Sequence, residues 1–164
     1  MMREIILLAH NIRSTHNVGA FLRTSDGFGV SKVIFSGYTP YPALDDDTRL
    51  PHFADKITRQ IHKTALGAET MVPFERFEDP PLADLKAQGF TIVGLEQDER
   101  SVMLPDYPVP DKVALFLGNE IDGIYPEFRD QCDALVEIPM HGDKESFNVS
   151  VAAGIALYHL VTAK

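Results

Sequence analysis

The sequence predicts an α/β fold, a mostly parallel sheet with helices on both faces. Two observations predict it. Short apolar runs alternate with helix-length amphipathic segments along the whole 164-residue chain. The runs, such as Ile5-Ile6-Leu7-Leu8-Ala9, are apolar at every position, as in strands buried on both faces.

The elements follow in order. Residues 5–9 form the first strand, and a polar stretch over 10–16 follows. Asn17 is placed to cap a helix running to about Asp26, with Val18, Phe21, Leu22 and Ser25 inward. Gly27 and Gly29 end it. Val33-Ile34-Phe35 is a second buried strand. Residues 36–51 hold three prolines, two tyrosines and Asp45-Asp46-Asp47, which read as a loop. Residues 53–66 have a helical pattern, and Met71-Val72-Pro73-Phe74 offers a short strand. Pro80-Pro81 opens a helix over 82–88, stopped by Gly89. Residues 90–95 are a strand, and 113–117 are the most apolar one. Pro126 opens a short helix to about Cys132, Ala134-Leu135-Val136-Glu137-Ile138 is the last strand, and Ser146 caps a terminal helix to about Thr162.

One domain accounts for this length, spanning 1–164 with no further domain expected. No apolar run approaches the roughly 20 residues of a membrane helix. The single cysteine, Cys132, excludes an intramolecular disulfide and fits a cytoplasmic protein; it reads as an inert, partly buried thiol. No metal site is expected, and the six histidines read as surface or capping residues. No phosphate-binding P-loop and no dinucleotide fingerprint is present. The net charge of -9 excludes a polycationic coat for nucleic acid. The excess acid lies in residues 71–164, whereas residues 1–70 hold eight basic against seven acidic side chains. Arg49, Lys56, Arg59 and Lys63 cluster there, and the last three share one helix face. Such a face is either merely solvated or a phosphate-contacting surface.

Three motifs stand at element junctions. Asn17-Val18-Gly19-Ala20-Phe21-Leu22-Arg23 opens a helix whose bare first turn admits a backbone or a ligand. Leu117-Gly118-Asn119-Glu120-Ile121-Asp122-Gly123 follows an apolar strand, where open sheets bind ligands. Gly118 there removes a side chain where a ligand would sit. Ile138-Pro139-Met140, then Ser146-Phe147-Asn148-Val149-Ser150, links the last strand to a helix start rich in free N–H groups. In this order the motifs resemble those of the SpoU/TrmH family of RNA ribose 2'-O-methyltransferases, in the SPOUT superfamily. Phe147 departs from the leucine more usual there.

The resemblance implies a C-terminal deep trefoil knot, a homodimer and S-adenosyl-L-methionine as cofactor. It assigns cofactor contacts to Leu95, Gly118, Ile138, Met140 and Ser146. Its catalytic positions are Arg23, Asn17, Glu120 and Asn148. Arg23 would polarise the ribose hydroxyl, Asn17 would hold its loop, and Glu120 and Asn148 would orient Arg23 or the ribose. The small-residue face Ala152, Ala153, Gly154 and Ala156 is the candidate dimer interface. The RNA partner is expected to be tRNA, with ribosomal RNA or a non-catalytic RNA-binding role as alternatives. RNA would meet Arg49, Lys56, Arg59 and Lys63.

Overall fold

The computed structural model describes residues 2–164. Among these residues the strands are β1 (Glu4–His10), β2 (Lys32–Ser36), β3 (Phe74–Phe77), β4 (Thr91–Leu95), β5 (Val102–Met103), β6 (Lys112–Leu117) and β7 (Ala134–Glu137). The helices are α1 (Thr15–Phe28), α2 (Pro51–Ala65), α3 (Leu82–Ala87), α4 (Pro126–Arg129) and α5 (Val149–Thr162). The strands form one sheet in the order β3-β2-β1-β6-β4-β7-β5, and every neighbouring pair is parallel.

Alternation along the central strands builds a core on each face. Ile5, Leu7 and Ala9 of β1 point toward Phe21, Leu22, Ala153 and Leu157 on one side. Ile6 and Leu8 point toward Leu82, Leu85 and Phe116 on the other. The two-residue period of a strand thus turns one continuous apolar run into two cores.

Helix α1 packs on α2 at close range because residue 19 is glycine. A Cβ there would run into the Thr64 hydroxyl and the Ile61 carbonyl. The bare first turn therefore admits a neighbouring helix. Gly19→Ala is expected to destabilise the fold by about 1–3 kcal/mol through overpacking. Helix propensity alone favours alanine by about 1 kcal/mol, so urea unfolding decides by the sign of the change.

Several boundaries differ from expectation. Ser14, not Asn17, caps α1: its hydroxyl accepts from the Asn17 N–H at 3.2 Å. Gly27 lies inside α1, and Gly29 closes it at φ +66. Asn148, not Ser146, caps α5, its Oδ1 accepting from the Ser150 N–H at 2.9 Å. The strand expected at 71–74 falls at Phe74–Phe77 because Pro73 has no N–H to donate; its carbonyl instead accepts from Val33 at 2.9 Å. The short β5 was not expected. His10 is buried rather than superficial, with Nδ1 2.8 Å from the Ser36 hydroxyl. Burial lowers its pKa, against the pull of Asp79. Cys132 is half-buried, and desolvation, with Asp133 beside it, pushes its thiol up to about 11.

Candidate functional site

Strands β4, β6 and β7 end side by side, with Gly94 opposite Phe116 and Leu95 opposite Val136. Beyond their carboxyl ends lies a cavity of about 390 Å³. That is large enough for a nucleoside-sized ligand. Its walls come from the residues after β4, the turn after β6 and the segment joining β7 to α5.

The turn at 118–124 is a tight, self-bonded unit. Asn119 and Gly123 exchange backbone hydrogen bonds at 3.0 and 2.9 Å. The Asn119 Oδ1 accepts from the N–H groups of Ile121 and Asp122. Gly123 sits at φ +68, which a side chain would oppose. The Glu96 carboxylate holds the turn from β4 by accepting from the Ile124 N–H at 2.8 Å. A Cβ on Gly118 would collide with the Gly123 backbone and the Ile124 nitrogen. The glycine is thus required by the turn itself, which corrects the expectation that it makes room for a ligand.

Glu120 joins this turn to the first motif. Its carboxylate accepts from the backbone N–H of Arg13 at 3.0 Å and of Ser14 at 3.2 Å, and from Asn17 Nδ2 at 3.1 Å. Donors free at the start of α1 are satisfied by a residue more than a hundred positions away. Burial works to raise the Glu120 pKa, but hydrogen bonds from Arg13, its own backbone, Asn17 and Ser14 carry it below the ordinary carboxylate value. A depressed carboxylate adds stability above that ordinary value and loses it as pH falls through the folded one. Glu120→Gln is therefore expected to cost about 1–3 kcal/mol at pH 7. The difference from wild type should shrink below about pH 4, which acid-unfolding curves check.

All five residues expected to face a cofactor, Leu95, Gly118, Ile138, Met140 and Ser146, line this one cavity, as does Glu120. Glu96, Asp122, Glu137 and Glu145 also line it, and among the described residues no lysine, arginine or histidine does. Glu96 was missed in the sequence, where a carboxylate after a strand reads as solvated. Asn17 stands beside the cavity through Glu120. Asn148 bonds its own helix start through the Ser150 N–H and hydroxyl, not Arg23. Arg23 is exposed on α1, away from the cavity lining, and Glu120 does not touch it.

The basic cluster divides. Lys56, Arg59 and Lys63 are exposed on α2 and form no ion pair among the described residues. Arg49 is separate from them: it pairs with Asp47, donates to the Tyr41 carbonyl at 3.1 Å and stacks 3.7 Å over the Tyr41 ring. Arg49 holds Asp47 well below the usual carboxylate range. It pins the 38–50 loop rather than presenting a free cation. Among the described residues no cluster of His, Cys, Asp or Glu gathers at metal-binding distance, and no helix is long and apolar enough to cross a membrane.

An all-parallel sheet with an acidic cavity beyond its inner strands defines an α/β protein whose candidate ligand site lies at the strand ends. Residues 4–158 match the SpoU rRNA methylase family, and the chain belongs to it. The 23S rRNA (guanosine-2'-O-)-methyltransferase RlmB of Xanthomonas campestris is 34% identical over 161 residues, covering 97% of this chain and 59% of that protein. The tRNA (guanosine(18)-2'-O)-methyltransferase of Aquifex aeolicus is 32% identical over 95% of this chain and 68% of its own length. The chain thus spans about three fifths of the rRNA relative. The crystal structure of the A. aeolicus TrmH/SpoU tRNA modifying enzyme superposes with a TM-score of 0.78 at 28% identity, covering 96% of this chain and 74% of that one. The fold is shared with AviRb of Streptomyces viridochromogenes in complex with AdoMet, at a TM-score of 0.79, 24% identity and 98% and 58% coverage.

Proposed function

We propose that the protein is an S-adenosylmethionine-dependent RNA ribose 2'-O-methyltransferase. The observation that carries this reading is that the second and third family motifs line one acidic cavity, to which Glu120 ties the first motif through the Asn17 amide. S-Adenosylmethionine fits that cavity by size, and a lining with five carboxylates and no cation would favour its sulfonium charge. Leu95, Ile138 and Met140 would enclose the adenine, with backbone groups at Gly118 and Ser146 reading its edge. When bound, the cofactor supplies a sulfonium methyl, from which the ribose 2'-oxygen displaces a neutral thioether.

The chain's own residues must then manage a weak nucleophile. Arg23 polarises the 2'-hydroxyl and stabilises the alkoxide forming from it. A guanidinium is a donor with no acceptor, so Arg23 does not serve as the base. An RNA phosphate takes the released proton. Asn17 and Glu120 fix the start of the helix that carries Arg23.

A homodimer belongs to the same proposal. The interface expected at Ala152, Ala153, Gly154 and Ala156 is corrected by the structure, because Ala153 and Ala156 are fully buried in the chain's own core. The exposed apolar stripe on α5 is instead Val151, Ile155 and Tyr158, beside α1 where Gly154 meets Thr24 and Tyr158 meets Phe28. Pairing through this face would bring Arg23 of one subunit toward the cavity of the other. A family-type trefoil knot is proposed as well. Its support is the likeness in fold to the A. aeolicus TrmH/SpoU enzyme.

The relatives turn the substrate expectation from tRNA toward ribosomal RNA. The Xanthomonas protein and that of Neisseria meningitidis, 36% identical over 93% of the chain, are both named as 23S rRNA enzymes. The Aquifex relative keeps tRNA as the second reading. Labelled-methyl transfer to RNA from a strain lacking the gene tests the proposal. Label in a ribose of 23S rRNA supports it, label in tRNA selects the second reading, and no transfer to any RNA refutes both.

A further inference from the structure

Beside the cavity stands an aromatic ring that the fold holds but does not use. Tyr38 is 56% exposed. Its backbone N–H donates to the Asn11 Oδ1 at 3.1 Å, and Asn11 itself adopts a left-handed conformation. The neighbours on either side are fixed too. Gly37 donates to the Glu78 carbonyl at 2.8 Å, and the buried Thr39 hydroxyl donates to the Ala9 and Ser36 carbonyls. At the other end of the ring, the Tyr38 hydroxyl accepts from Asn119 Nδ2 at 2.7 Å and faces the Tyr125 phenol. Both ends of the side chain are therefore anchored while much of the ring stays in water. An exposed ring adds little to folding stability, but an immobilised one offers a surface whose ordering entropy is already spent.

Arg13 lies on the same edge of the sheet. Its guanidinium is exposed, has no hydrogen bond or ion pair among the described residues, and acts electrostatically on the Tyr38 hydroxyl. Two consecutive residues of the cavity wall hold the pair: Asn119 bonds Tyr38, and Glu120 bonds the Arg13 backbone. A ribose entering the cavity from this side crosses that wall. Its own base, or the next one, then passes the ring, and a phosphate passes the guanidinium.

We propose that Tyr38 is a stacking platform for a nucleobase of the RNA substrate, with Arg13 binding that nucleotide's phosphate. The proposal rests on the methyltransferase reading and names a substrate-positioning element within it. Stacking requires the base to be unpaired, so the site selects a single-stranded loop or bulge over duplex RNA. The ring would help the ground state and the transition state alike, so its loss acts on KM rather than kcat.

The experiment compares wild type, Tyr38→Ala, Tyr38→Phe and Arg13→Ala. Methyl transfer to ribosomal RNA from a strain lacking the gene gives kcat and KM. A single-stranded oligoribonucleotide carrying 2-aminopurine reports stacking by fluorescence quenching, and calorimetry with S-adenosylmethionine checks that the cavity is intact. Tyr38→Ala should raise KM about 10-fold or more and abolish the quenching, with kcat and cofactor affinity retained. Tyr38→Phe keeps the ring and should stay within about 3-fold of wild type. Arg13→Ala should reduce the salt dependence of oligonucleotide binding by about one phosphate contact. The proposal is overturned if Tyr38→Ala matches wild type, or if Tyr38→Phe is as impaired as Tyr38→Ala. A wild-type protein that neither methylates RNA nor binds the oligonucleotide overturns the methyltransferase reading itself, and this site with it.

Discussion

Arg23→Ala is expected to lower kcat for methyl transfer by at least about 100-fold while leaving cofactor affinity within about 2-fold of wild type. The split follows from position. Arg23 is outside the cavity lining, so removing it takes nothing from the walls that would hold the cofactor. It also lacks a structural partner among the described residues, so the fold should survive. What is lost is the charge facing the forming alkoxide. Lysine at this position retains charge but not the planar fork, and should recover only part of the rate. Near-normal turnover in Arg23→Ala would remove the residue from the chemistry. Mixing then tells which subunit it serves. Arg23→Ala is combined with a variant unable to bind cofactor, both being inactive alone. If Arg23 acts across the dimer, each mixed dimer regains one complete site, and random exchange restores roughly a quarter of wild-type activity. If it acts within its own subunit, the mixture stays inactive.

The central strands were legible because burial on both faces leaves an unbroken apolar run. The runs at 5–9 and 113–117 fall inside β1 and β6, the central pair. β5 was not legible: two residues carry no period, and Val102 and Met103 are strand only because β7 pairs with them. The cap of α1 was misplaced for a different reason. Ser14 and Asn17 are both good capping types, and what separates them is distant. Glu120 engages the Asn17 amide, leaving the Ser14 hydroxyl to accept from the helix. Arg49 could have been set apart from the basic cluster by Asp47 two residues earlier and Tyr41 nearby, which together hold its guanidinium. The cavity residues Leu95, Gly118, Ile138, Met140 and Ser146 were legible through motif resemblance, yet the reason for Gly118 was not. Spacing cannot show that Gly123 folds back upon it.

That difference in reason makes Gly118→Val the most discriminating substitution in the cavity. If glycine served only to admit a ligand, valine would block binding and leave the empty protein as stable as wild type. The structure sets a different expectation, because the added Cβ meets the Gly123 backbone and the Ile124 nitrogen before it meets any ligand. Backbone cannot rotate aside as a side chain can. The turn must open, and opening breaks the paired hydrogen bonds between Asn119 and Gly123. It also pulls Ile124 from the Glu96 carboxylate and displaces Glu120 from the start of α1. The expected result is therefore double. Cofactor binding should fall at least about 100-fold, and unfolding free energy should fall by about 2–4 kcal/mol, combining overpacking with lost hydrogen bonds. For a chain of this length that lowers Tm by roughly 5–15 °C without any ligand present. Calorimetry with S-adenosylmethionine and thermal unfolding of the cofactor-free protein measure the two effects separately. Lost binding at unchanged Tm would return Gly118 to the role of a simple gap. Loss of both, with Glu120→Gln approaching wild-type stability below about pH 4, would place the 118–124 turn as the joint through which the first and second motifs hold each other.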